Sequence, residues 1–181
     1  MKKIVLTYGL IAGAIVATMM FITIPFWKSG VVNFKNGEVV GYTTMVVALS
    51  VIFFGVKSYR DKQADGAITF WQGVKIGGLI TLIAGVMYAL AWEVSFPLMG
   101  DDFLSKMTET YLNNMKADGA TAAELQKSQE QFASYQELYK NPLVRFPMSM
   151  MEILPVGIAI TLISAALLRK KGFLPATEPA S

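Results

Sequence analysis

The sequence predicts an all-α membrane protein, an antiparallel bundle of four transmembrane helices with an extracytoplasmic amphipathic helical hairpin between spans three and four. Its composition is the first reason: 54% of the 181 residues are hydrophobic and 16% are charged, whereas a soluble domain carries about 25% charged residues. The second is that the apolar residues fall in four long runs, each sufficient to cross a bilayer. The third is one long hydrophilic segment, residues 100–146. We therefore expect a single membrane domain over residues 1–181.

The first two spans are predicted at residues 4–27 and 39–56. The first apolar run is too long for the core of a signal peptide, so we expect it to stay in the protein. Within it, Gly9 and Gly13 form a G-x-x-x-G pair, a spacing that lets a second helix approach closely in lipid. After the second span, the basic and aromatic residues of 57–72 predict a segment that lies along the membrane surface.

The third span, predicted at residues 73–97, carries a stripe of small or polar residues at every fourth position. Residues four apart lie on one face of a helix, so this face can pack closely against span one, through Gly9 and Gly13, or against span four, through Gly157. The stripe leads to a carboxylate near the end of the span, and its members are Gly73, Gly77, Thr81, Gly85, Ala89 and Glu93.

The insertion at 100–146 has two segments with apolar residues at helical spacing. Asp101 or Asp102 can cap the first helix, and Thr121 with Glu124 forms a capping box that opens the second. The two helices can pack on each other, lie on the bilayer, or cover the end of the bundle. The fourth span follows at residues 147–168, and a short disordered tail is expected at 172–181.

Basic residues set the expected orientation, because they collect at the cytoplasmic ends of spans. With a cytoplasmic N-terminus, the basic clusters after spans two and four lie inside, and the short outer loop holds only Lys28 and Lys35. The prediction is a multi-pass protein of the bacterial inner (cytoplasmic) membrane with both termini in the cytoplasm. Lys75 reads as a further anchor; the main topology anchors are Lys57, Arg60, Lys62, Arg169, Lys170 and Lys171.

Glu93 and Glu152 are the candidate site residues. Each lies a few residues inside the outer end of its span, at a depth of about 6–8 Å at 1.5 Å per residue. Two carboxylates at matched depth can share a proton or a cation. The alternatives are that they reach the headgroups, pair with Lys28 or Arg145 at the same level, or hydrogen-bond between helices.

Three segments together resemble a known bacterial family: GYTTMVVALSVIFFGVKSYRDK (41–62), ITFWQGVKIGGLITLIAGVMYALAW (68–92), and DDFLSK (101–106) after Pro97. The chain is similar to the uncharacterised membrane family catalogued as domain of unknown function 4199. The resemblance implies a small four-span protein with an extracytoplasmic helical insertion before the last helix. It implies no activity and supplies no catalytic residues.

The composition narrows the function classes. The chain contains no Cys and no His, which removes Ser–His and Cys–His nucleophile pairs and zinc or haem sites built on those residues. We expect no cofactor, no nucleic-acid partner and no enzymatic activity, and the methionines fit lipid-facing or core positions better than a Cu(I) site. The favoured hypothesis is an interaction or accessory protein that contacts the bilayer and forms a homo-oligomer or binds a membrane partner through the hairpin. The alternative is a small oligomeric transporter or channel that uses Glu93 and Glu152.

Overall fold

The structure, a computed structural model, describes residues 1–34, 36–100, 102–170 and 172–175. Within these residues the chain is helical and contains no strand. Four helical stretches are long and apolar enough to span a membrane: Lys2–Lys28, Gly37–Gln63, Phe70–Met99 and Pro142–Leu168. The elements are α1 (Lys2–Lys28), α2 (Gly37–Leu49), α3 (Val51–Gln63), α4 (Phe70–Ser95), a 3₁₀ turn (Phe96–Met99), α5 (Phe103–Ala117), α6 (Ala122–Lys140) and α7 (Pro142–Leu168).

The second spanning stretch consists of α2 and α3, which meet at Ser50. Helix α3 continues to Gln63, well past the predicted end at Val56, so residues 57–63 extend the span where a separate surface segment was expected. Lys57 and Asp61, one turn apart, form a 2.5 Å ion pair that supports the extension.

The fourth spanning helix begins at Pro142 and not at the predicted residue 147. Asn141 caps it, because its side chain accepts a hydrogen bond from the Leu143 amide at 3.0 Å. Proline suits the first turn of a helix, where its missing N–H would have no partner in any case. The Asn141–Pro142 pair therefore ends α6 and also starts α7.

Helix α4 is the centre of the bundle and packs most extensively on α7 and α1. The small-residue stripe faces α7: a Cβ on Gly77 would lie 2.7 Å from Thr161 Cγ2, and a Cβ on Gly73 would lie 2.8 Å from Ala165 Cβ. From the other side, a Cβ on Gly157 would lie 2.9 Å from Thr81 Oγ1. Glycine is needed where two backbones approach this closely.

Helix α1 packs on a different face of α4. A Cβ on Gly9 would lie 2.8 Å from Ile83 Cβ, and one on Gly13 would lie 2.7 Å from Met87 Cβ. The Gly9/Gly13 pair thus serves a contact within the chain. The two packing partners that the sequence left open are both present, each on its own side of α4.

Helices α5 and α6 form a hairpin. The rings of Tyr111 and Phe132 are 4.9 Å apart, and Gln136 Nε2 donates to the Leu104 carbonyl at 3.2 Å and to Thr108 Oγ1 at 2.8 Å. The predicted Thr121/Glu124 capping box opens α6. A second capping box, Thr69 with Gln72, opens α4.

The hairpin also contacts the ends of the spanning helices. Trp92 Nε1 on α4 donates to the hydroxyl of Tyr139 on α6 at 2.7 Å, and the rings of Trp27 on α1 and Phe103 on α5 are 5.8 Å apart. We call this side of the bundle the hairpin end and the opposite side the termini end. The hairpin therefore packs on itself and also covers part of the bundle.

Arg60 joins α3 to the C-terminal segment at the termini end. Its side chain is fully buried, and it donates to the carbonyl of Phe173 at 2.8 Å and to the carbonyl of Leu174. The Phe173 ring also packs on Phe53. These contacts attach Phe173 and Leu174 to α3. The disordered tail at 172–181 otherwise stays a prediction, because residues 176–181 and Lys171 lie outside the described residues.

Candidate ligand-binding cavity

A cavity of about 650 Å³ lies between the hairpin and the spanning helices. Helices α1, α2, α4 and α7 supply its walls, and α5 and α6 lie over it. Its volume falls within the roughly 300–1,000 Å³ typical of small-molecule sites. The cavity depends on the hairpin, because residues of both hairpin helices line it.

Aromatic rings form one part of the cavity wall. Trp27, Phe34 and Phe103 form a mutual cluster with ring centroids 5.2–5.8 Å apart. Trp92 joins this cluster through Phe103, at 6.2 Å. The cluster ties α1, α4 and α5 together at the hairpin end, and aromatic surfaces of this kind combine large apolar area with polar handles at the Trp N–H groups.

Methionine side chains form a second part of the wall. Helices α1, α2, α5 and α7 all contribute: Met19, Met20, Met45, Met107, Met148 and Met151 line the cavity. The thioether side chain is flexible and polarizable, so it can adjust to guests of different shape. These methionines, for which the sequence predicted lipid-facing or core positions, thus lie together at one cavity.

Glu152 on α7 contributes a carboxylate to the lining of this cavity. It lines the space and keeps accessible surface there. The hydroxyl of Tyr88 on α4, itself buried, donates to Glu152 Oε2 at 2.8 Å. A single donor leaves most of the acceptor capacity of a carboxylate unused, so Glu152 can accept further hydrogen bonds or hold a positive charge.

Two tyrosines of α6 complete the polar lining. Burial raises the pKa of Tyr139 from its ordinary value of 10.0 to about 12; the hydrogen bond from Trp92 opposes this shift, and the charges of Tyr135 and Glu152 add to it. Burial, then the charge of Glu152, also raises the pKa of Tyr135. Both phenols are therefore neutral near pH 7.

Glu93 has a different partner. Arg145 Nε donates to Glu93 Oε1 at 3.0 Å and Nη2 donates to Oε2, which makes the pair bidentate. The remaining guanidinium nitrogen, Nη1, donates to the Tyr139 carbonyl at 3.1 Å, and the guanidinium carbon lies 4.1 Å from the centroid of the Phe96 ring. The charges of Glu93 and Arg145 therefore balance each other, and all three guanidinium nitrogens donate to protein oxygens.

Comparison with known proteins gives one finding. A family model described as a protein of unknown function, DUF4199, matches residues 7–170. The chain belongs to the DUF4199 family. The match takes in most of α1 and all of α2 to α7, and hence every element that lines the cavity. No curated protein and no solved structure matches the chain.

In this DUF4199 protein the two predicted carboxylates have separate partners. Glu93 is paired with Arg145, one of the alternatives that the sequence left open, while Lys28 is exposed. Glu152 faces the cavity with Tyr88. The coupled two-carboxylate arrangement is therefore not supported, and Glu152 is the acidic group that remains for a ligand.

The other predicted site residues that the structure describes lie at helix contacts or at the termini end. Gly9, Gly13, Gly77 and Gly157 lie at helix contacts, and Gly85 lies 3.5 Å from Ile153 through a notional Cβ, an ordinary packing distance. Among the topology anchors, Arg60 is buried and Lys57 is half-buried in its pair with Asp61. Lys62, Arg169 and Lys170 are exposed at the termini end.

Sequence reasoning missed the aromatic lining. Two pairs carried a signal: Tyr88 with Trp92 on α4, and Tyr135 with Tyr139 on α6. Members of each pair are four residues apart and share a helix face. The periodicity shows that each face is aromatic, but only the fold shows that both faces meet at one cavity.

Proposed function

We propose that this DUF4199 protein is a non-enzymatic membrane protein that binds an amphipathic small molecule in the cavity at the hairpin end. The observation that carries the proposal is the lining: aromatic and Met side chains surround a space of about 650 Å³ that contains the carboxylate of Glu152. An amphipathic molecule in the bilayer has an apolar body for such walls and a polar group for such a carboxylate. Binding without chemical conversion agrees with a sequence that has no Cys or His nucleophile system.

Gly41 offers a way to fill the cavity without disturbing the fold. It lines the space, and a Cβ at this position would meet no atom within 4 Å. Gly78 on α4 is an equally open position, exposed and outside the cavity lining. Gly41→Phe and Gly78→Phe are therefore matched variants that add the same side chain inside and outside the cavity.

Tryptophan fluorescence provides the measurement. Trp27 and Trp92 line the cavity, whereas Trp71 is 74% exposed, so a Trp71→Phe background keeps the two informative reporters. A neutral nitroxide-labelled alkyl ester should quench them saturably in this background and in Gly78→Phe, but not in Gly41→Phe. Quenching that is unsaturable and equal in all three proteins would overturn the proposal.

A second candidate function rests on Glu152 alone. A carboxylate that faces a cavity within a membrane bundle is a candidate proton or cation site, and Glu93 is already neutralised by Arg145. Reconstituted protein with a pH-sensitive dye inside the vesicles tests this function. Proton flux that is lost in Glu152→Gln would support it, and equal flux in wild type, Glu152→Gln and protein-free vesicles would dismiss it.

We also propose that the protein lies in the bacterial cytoplasmic membrane with the termini end inside and the hairpin outside. The basic residues of the termini end support this orientation. Because the chain has no Cys, single substitutions at exposed Gln129 on α6 and exposed Lys62 on α3 introduce unique labels. A membrane-impermeant maleimide added to intact cells should label Gln129→Cys and not Lys62→Cys; the reverse pattern would invert the topology.

A further inference from the structure

We infer that the molecule bound in the cavity carries a positive charge, so that the site selects lipophilic organic cations over anions of the same shape. This inference rests on the proposed binding function and names the class of its ligand. It follows from three properties of the described lining: its charge balance, the unused acceptor capacity of Glu152 and the presence of nearby aromatic rings.

The charge balance comes first. The described residues that line the cavity include the carboxylates of Glu38 and Glu152 and neither Lys nor Arg. Arg145, which lies over the ring of the lining residue Tyr139, is engaged by both oxygens of Glu93 and also stacks on Phe96. Its charge is therefore balanced within the protein, and the two charged groups among the described lining residues are both acidic.

Glu152 has room for a cationic partner. Among the hydrogen bonds of the described residues, Tyr88 supplies the one that it accepts, at 2.8 Å. An ionised carboxylate removed from bulk water is costly unless it is paired. A ligand cation placed at Glu152 would provide that pairing, whereas an anion at the same position would add repulsion.

Aromatic faces add to the preference. Tyr88, Trp92 and Tyr135 line the same cavity as Glu152. Tyr139 lines it too, but its ring is stacked on Tyr135 and lies beneath Arg145. Aromatic faces attract cations, most of all when water is excluded. The hairpin end already uses this interaction, since Arg145 lies over the rings of Phe96 and Tyr139.

The Met residues determine how selective the site is for the apolar part of the ligand. Six flexible thioether side chains line the cavity and can rearrange around different apolar groups. We therefore expect the site to distinguish ligands mainly by their charge, and the shape of the apolar part of the ligand to have a smaller effect on affinity. Bulky aryl cations and alkylammonium ions both fit this description.

Two ions of nearly the same size and shape provide the test: tetraphenylphosphonium, which is positive, and tetraphenylborate, which is negative. Binding is measured by equilibrium dialysis with protein in a nonionic detergent, and the value for Gly41→Phe is subtracted to remove partition into the micelle. Wild-type protein should bind the phosphonium at least about tenfold more tightly than the borate, the size expected from a desolvated cation near a carboxylate and aromatic rings.

Substitutions at Glu152 test whether the preference for the cation depends on this carboxylate. Glu152→Gln should weaken phosphonium binding by about tenfold and bring the two affinities together, whereas Glu152→Asp keeps the charge and should keep the order of affinity. Glu109→Gln is the matched control, because Glu109 is exposed on α5 and outside the lining. The comparison of the two ions on wild type needs no mutant and stands even if Glu152→Gln fails to fold.

The outcomes separate the two claims. Equal affinity for both ions, with both signals lost in Gly41→Phe, would overturn the cation preference and leave the binding function intact. Tighter binding of the borate would overturn it as well. Binding of neither ion, together with unsaturable quenching by the neutral ester, would overturn both.

Discussion

Arg145 on α7 donates two hydrogen bonds to the carboxylate of Glu93 on α4, from Nε to Oε1 at 3.0 Å and from Nη2 to Oε2. The pair joins the two helices that pack most extensively in the bundle. Of the two acidic candidate site residues, Glu93 is thus held by the protein, whereas Glu152 lines the cavity.

Removing one member of the Glu93–Arg145 pair should destabilise the protein strongly, because it leaves a largely buried charge without its partner. We expect Arg145→Met to lower the free energy of unfolding by about 3 kcal/mol, and the double variant with Glu93→Gln to lose less than the sum of the single losses. Unfolding of the four proteins in detergent gives the coupling energy. Asp102→Asn, which breaks the exposed pair with Lys106, is the control and should have no measurable effect; equal losses in both pairs would contradict the assignment.

A methyl group on Gly157 should disrupt the contact between α4 and α7. A Cβ there would lie 2.9 Å from Thr81 Oγ1, and overpacking of this kind costs about 1–3 kcal/mol. Gly78→Ala on open surface should instead gain up to about 1 kcal/mol from helix propensity. Thermal unfolding in one detergent compares the two, and Thr81→Ala should recover part of the loss in Gly157→Ala. A Gly157→Ala protein as stable as Gly78→Ala would show that the helices are not in close contact.

Alkaline pH should loosen the hairpin. The pKa of Tyr139 is raised to about 12 in the folded protein from an ordinary 10.0, so its contribution to stability is complete below pH 10 and is lost as the pH rises toward 12. Far-UV circular dichroism measures the loss of helix, and absorbance at 295 nm measures the ionisation of tyrosine over the same pH range. Tyr139→Phe should remove a tyrosine that ionises near pH 12 and flatten this part of the stability curve, although it loses the hydrogen bond from Trp92. A tyrosinate step near pH 12 of the same amplitude in that variant would assign this pKa to another tyrosine.

Arg60→Lys should release the segment around Phe173. Lysine is a point charge on a flexible stem and cannot reproduce a planar fork that donates to two carbonyls and to Asp61. We expect faster hydrogen exchange in 172–175 and the loss of at least about 1 kcal/mol of stability. Lys62→Ala, an exposed neighbour on the same helix, should change neither quantity; protection that persists in Arg60→Lys would mean that Phe173 packing alone holds the segment.

Periodicity and composition predicted the four spans, the two amphipathic helices and the Thr121/Glu124 cap, because these depend on residues close together in the sequence. The small-residue stripe of α4 predicted close packing but not its partner. The packing partner depends on the helix face that each glycine occupies. Gly77 contacts α7, whereas Gly9 and Gly13 of α1 contact another side of α4.

The site was harder to predict. The depth of Glu93 and Glu152 along their helices followed from counting residues, but rotation about the helix axis did not, and rotation directs Glu93 to Arg145 and Glu152 to the cavity. Arg60 resembled an anchor because its sequence neighbours are charged. Its burial depends on Phe173 and Leu174, which are more than a hundred residues away in the chain.

Close packing of α4 on α7 gives the cavity one stiff side. The two helices approach closely at Gly73, Gly77 and Gly157 because no side chain separates them there. We therefore expect the distance between α4 and α7 to be the same with and without a ligand. Helix α2 and the hairpin touch their neighbours far less extensively. The side of the cavity formed by α4 and α7 therefore sets the position of Glu152. If the cavity binds molecules of different bulk, we expect α2 and the hairpin to move outward while the distance from Glu152 to Tyr88 stays the same.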